Sequence, residues 1–111
     1  MTLWLLSGKL TVLLLLSVSP VVGFEPLVVH CRVKADASVH GQICLVIESE
    51  QVYRESCWTA GDLPTTFLDY TLTAGQYKAH AYALSTSGDT VQYTTPVQDI
   101  QVVSRMKKGT P

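Results

Sequence analysis

The chain has 111 residues, of which 47% are hydrophobic and 15% charged, with a formal net charge of -1. Nucleic-acid binding rests on clustered Lys and Arg that neutralise phosphates, and the sequence has no basic stripe of that kind, so that class is set aside. There is no Asn and hence no N-glycosylation acceptor, so solubility must come from the bare protein surface.

The first segment points to the secretory route. Lys9 precedes an apolar run over 10–18, Pro20 breaks any helix, and Val21, Val22 and Gly23 follow, with Val21 and Gly23 suited to the two pocket positions of a signal peptidase. Residues 1–23 therefore read as a signal peptide cleaved after Gly23, leaving Phe24 first. The rival is a retained anchor, but the run falls short of the roughly 20 residues a spanning helix needs. Adding Leu3 to Leu6 would bury Lys9, at a cost of about 2.5–3.5 kcal/mol near the bilayer centre. The remainder suffices for one hydrophobic core and not for two. It reads as a β-sandwich domain over 24–104 and a flexible basic tail over 105–111, which carries Arg105, Lys107 and Lys108.

After Pro26 the pattern has period two. Over 27–33, Leu27, Val29, Cys31 and Val33 share one face while His30 and Arg32 take the other, which predicts a half-buried strand. A polar connection ending in Gly41 leads to 42–48, a continuously apolar strand suited to a central place. Residues 49–52 make a tight connection to a third strand over 52–58. Residues 59–65 read as a loop, and the strand over 66–72 sets Leu68, Tyr70 and Leu72 on one face. A turn at Ala74-Gly75 precedes 76–84, where Tyr77, Ala79, Ala81 and Ala83 oppose Lys78, His80 and Tyr82. The last pieces, 90–95 and 97–103, are separated by Pro96, which fits an edge or a strand switch. No window sustains an amphipathic helix. The expected fold class is all-β, a small antiparallel sandwich of about seven strands.

The cysteines are Cys31, Cys44 and Cys57, an odd number, so at least one is free or bonded to another chain. With a short 49–52 connection, Cys44 and Cys57 come nearly opposite each other and can bridge adjacent strands, which leaves Cys31 as the odd cysteine. That geometry is permitted by the sequence and not demanded by it.

The stretch 72–88, with Leu72, Gly75, Tyr77 and Gly88 set around an alternating strand, resembles the late strands of fibronectin type III and related immunoglobulin-like domains. The resemblance implies that Tyr77 is a structural corner, its ring in the core and its hydroxyl on backbone. An immunoglobulin domain would carry its second inter-sheet cysteine two residues after that tyrosine, where this chain has Ala79.

Chemistry-bearing clusters are sparse. His30, Cys31, His40, Cys44 and Cys57 are residue types that bind zinc, but no ligand pair has zinc-site spacing and an oxidising compartment competes for the thiols. No nucleophile elbow or catalytic-cysteine motif is present, and His80 falls on a solvent-facing strand side. Asp62, Asp69, Asp89 and Asp99 sit in or near loops and strand ends, where acids commonly solubilise turns. No catalytic residue, cofactor or metal is expected. The residues singled out for partner binding are Phe67 and Tyr82, out of phase with the apolar faces of their strands, and Trp58, with one sheet face bearing Phe67 and Tyr82, or the 59–65 loop, as the contact.

These readings lead to a secreted or lumenal, non-catalytic module that recognises a protein or glycan by its surface. Two alternatives stand beside it. One is an N-terminal lumenal part, or truncated product, of a larger secretory enzyme such as a glycosyltransferase. The other is a structural subunit in a dimer disulfide-linked through Cys31.

Overall fold

The computed structural model describes residues 13–61 and 64–105. Among these residues it is all-β, with nine strands: β1 (Leu14–Ser19), β2 (Val22–Phe24), β3 (Leu27–Ala35), β4 (Gln42–Glu48), β5 (Tyr53–Thr59), β6 (Thr65–Leu72), β7 (Gly75–Leu84), β8 (Val91–Thr94) and β9 (Gln98–Val103). Seven of them, β3 to β9, follow the strands expected from the sequence, with ends moved by at most two residues. The other two lie, but for Phe24, in the 1–23 segment expected to be a signal peptide.

The strands form two sheets. One runs β1-β3-β6, the other β2-β9-β7-β4-β5, with β8 pairing beside β9 on the same strand, β7. All pairings are antiparallel except β2 with β9. Pro96 falls between β8 and β9 and interrupts the last ladder, as its missing N–H requires. Thr95, buried beside it, gives the Ala81 N–H an acceptor: its Oγ1 takes a hydrogen bond from that N–H at 2.9 Å.

The core lies between the sheets and follows from period two. Val29, Cys31 and Val33 face inward from β3, Tyr70 and Leu72 from β6, and Tyr77, Ala79, Ala81 and Ala83 from β7. Within the second sheet the small alanines of β7 stand beside the larger Ile43, Leu45 and Ile47 of β4, and Tyr77 stands beside Ile100 of β9, so the inner face is filled by large and small residues in alternation. β1 adds Leu14 and Leu16, both buried. At Pro20 the N-terminal segment crosses from the first sheet to the second, where β2 runs beside β9. The Glu25 carboxylate then ties three segments, accepting from the N–H of Ala74 at 3.0 Å and from Ser104 and the N–H of Arg105 at 3.3 Å. Those backbone donors hold its carboxyl below the usual range.

Of the expected basic tail, Arg105 is described and is held in place: its Nε donates to the Glu25 carbonyl at 2.7 Å, and its guanidinium lies 5.7 Å from the Phe24 ring centre. Lys107, Lys108 and the rest of that stretch, like Lys9 and the first three residues of the apolar run, lie outside the described residues.

Candidate functional site

The outer face of the five-strand path is the most elaborated surface. Because side chains alternate, β5 presents Tyr53, Glu55 and Cys57 there, β4 presents Cys44, Val46 and Glu48, and β7 presents Lys78, His80 and Tyr82. The register sets Cys44 opposite both Cys57 and Tyr82, Val46 opposite Glu55 and His80, and Glu48 opposite Tyr53 and Lys78.

Glu55 is the centre of this arrangement. Its Oε1 accepts from the Tyr53 hydroxyl at 3.3 Å, and its Oε2 accepts from the Tyr82 hydroxyl. Tyr82 and Glu55 stand on strands separated by β4, so their bond arches over it. This accounts for Cys44 and Val46 being only 1% and 2% exposed although they point away from the core. The Tyr82 and His80 rings stack at 6.1 Å between centres. Hydrogen bonding to Glu55, with some burial, pushes the Tyr82 phenol up to about 12, and Tyr53 is raised chiefly by burial and the nearby Glu55 charge. Both phenols therefore stay neutral donors at physiological pH. Tyr53 is 60% exposed, so an aromatic face with a fixed carboxylate beneath it looks outward.

Cys44 and Cys57 are bonded to each other, joining β4 to β5 beside this cluster. Their sulfurs and a Glu55 oxygen lie within 4.8 Å of one another, but sulfurs spent in a disulfide offer no thiolate to a metal. Cys31 is free and 1% exposed, and burial, aided by the Asp69 charge, pushes its thiol up to about 11. A bridge through Cys31 to another chain would require β3 to be uncovered. His30 is on the outer face of the three-stranded sheet, 2.8 Å from Asp69, so the five zinc-type residues are not gathered at one place.

Tyr77 has its ring in the core, 3% exposed, and its hydroxyl donates to the Thr73 carbonyl at 2.9 Å. Trp58 points inward opposite Ile43 and packs against the core, half-buried. Phe67 is 72% exposed on β6, opposite Arg32. The expected single face bearing both Phe67 and Tyr82 does not form. Phe67 lies on the outer face of β1-β3-β6 and Tyr82 on the outer face of the other sheet, because the chain changes sheets in the turn between β6 and β7. In the alternative 59–65 loop, Asp62 and Leu63 lie outside the described residues.

Tyr53 and Glu55 were not legible as site residues from the sequence. The usable signal was the Cys44–Cys57 opposition, which also fixes Glu55 against Val46 and within reach of a β7 side chain. No family model, curated protein or solved structure matches the chain. Among the described residues, no helix is long and apolar enough to cross a membrane.

Proposed function

We propose that the chain is an immunoglobulin-like, non-catalytic recognition module of the secretory route, and that it binds a protein or glycan through the outer face built on Tyr53, Glu55 and Tyr82. The observation that carries the binding surface is the Glu55 carboxylate held by two phenols on an exposed sheet face. Side chains fixed before binding lose little rotamer freedom on contact, and tyrosine offers large amphipathic area. The immunoglobulin-like reading rests on the strand order from β3 onward, β3-β6 in one sheet and β9-β7-β4-β5 in the other, and on the Tyr77 hydroxyl at the turn between them. The secretory reading rests on the 1–23 layout and the Cys44–Cys57 bond, a linkage that persists in oxidising compartments.

The test is binding of fluorescent tetramers of the full chain to intact cells and to an array of glycans. Tyr53→Ala with Tyr82→Ala should abolish any signal, while Phe67→Ala leaves it in place. If the double variant binds as well as the parent, the site is elsewhere and this reading fails.

A further inference from the structure

β1 occupies the edge of β3 with the marks of a bound strand. Six residues pair in register, from Leu14 opposite Ala35 to Ser19 opposite His30. Inward-facing Leu14 and Leu16 are 6% and 4% exposed, and Val18 lies opposite the buried Cys31. Two further bonds hold the segment, one at its N-terminal end and one from the other sheet: the Asp36 N–H donates to the Leu13 carbonyl at 2.9 Å, and the Gln98 Nε2 donates to the Leu16 carbonyl at 2.6 Å. Yet these residues belong to the apolar run that has the layout of a leader. Scission after Gly23 would remove all of β1 and two of the three residues of β2. β3 would then become an edge, the N–H and C=O groups that every second residue of its paired stretch turns toward β1 would lose their partners, and the slots of Leu14 and Leu16 would open onto the core. Long apolar edges in that condition recruit other strands.

We propose that the edge of β3 is a strand-binding groove, and that its ligand is the chain's own Leu14–Ser19 segment, held antiparallel with Leu14, Leu16 and Val18 turned inward. The ligand class is an extended peptide with apolar residues at alternate positions. Ladder hydrogen bonds hold its backbone, and the Leu14 and Leu16 slots select its side chains. The two fates of the segment exclude each other: it completes the sandwich or it is removed as a leader. A removed segment leaves a domain that needs the same strand in trans. This inference does not depend on the Tyr53, Glu55 and Tyr82 face.

The experiment uses the full chain with a specific protease site inserted between Pro20 and Val21. The folded protein is cut, unfolded, freed of the released fragment, and refolded with excess fluorescent peptide spanning residues 13–19 and carrying a lysine tag. The labelled peptide should enter the complex, restore the melting temperature of the uncut chain, and leave Cys31 as resistant to alkylation as before the cut. A peptide with Leu14→Asp and Leu16→Asp should do none of these, and Cys31 should lose its protection. The inference is overturned if neither peptide enters, if the Asp peptide enters equally, or if the cut chain keeps its melting temperature and Cys31 protection with nothing bound.

Discussion

The Tyr77 hydroxyl donates a hydrogen bond to the Thr73 carbonyl, 2.9 Å away, across the turn where the chain passes from β6 in one sheet to β7 in the other. The ring is buried and the bond closes back on the turn, so one side chain joins core packing to the crossover. Tyr77→Phe keeps the ring and drops the bond. A net intramolecular hydrogen bond contributes about 0.5–1.5 kcal/mol, so the loss should fall in that range. Tyr77→Ala also removes the buried ring and should cost about 3–5 kcal/mol, by analogy with other large aromatic truncations. Urea denaturation with unchanged m-values checks both. A Phe variant as stable as the parent would mean that the hydroxyl exchanges this carbonyl for water at no cost.

Two glycines share a left-handed backbone but differ in what surrounds them. Gly41 has φ of 90° and Gly88 has φ of 85°. A Cβ at Gly41 would stand 2.6 Å from the Leu84 carbonyl oxygen and 2.8 Å from that of Ser85, whereas one at Gly88 would meet nothing within 4 Å. Gly88→Ala should therefore cost only the left-handed penalty, about 1–2 kcal/mol. Gly41→Ala carries that penalty plus a collision with backbone that has no rotamer to yield. The ordering, Gly41→Ala well below Gly88→Ala in melting temperature, is the expected result of paired thermal melts. Equal losses would show that the β3–β4 connection shifts freely away from the end of β7.

The all-β class and the strand positions from Leu27 onward were legible because half-buried strands betray themselves by alternation. β3 reads cleanly as Leu27, Val29, Cys31 and Val33 against His30 and Arg32. β4 has no alternation, and its continuous apolar run marked a strand covered on both faces; the cover is the Tyr82–Glu55 bond, which no local pattern encodes. The phase of Phe67 and Tyr82 within their strands correctly said that both point outward. It could not say which sheet each strand joins, since that is decided by pairings with residues far away in sequence. β1 was hidden for another reason: Leu14, Leu15 and Leu16 are chemically alike, so their alternate burial leaves no trace in composition.

Tyr82 also gives the protein a predictable alkaline response. Its phenol is pushed up to about 12, first by the hydrogen bond it donates to Glu55 and then by burial and the Glu55 charge. An ordinary tyrosine titrates near 10. The folded state thus favours the protonated phenol, and the stability this confers is present in full below about pH 10. It is lost as pH rises through about 12, because ionised Tyr82 can no longer donate and sits beside a carboxylate of like charge. Difference absorbance of phenolate between the parent and Tyr82→Phe should isolate one tyrosine that ionises late. In Glu55→Gln the acceptor remains as an amide oxygen but the negative charge is gone, so that late step should move down toward the ordinary range while the fold persists. If Tyr82 titrates near 10 in the parent, the bond across β4 is not maintained in solution, and the outer face lacks the fixed carboxylate on which its recognition role was argued.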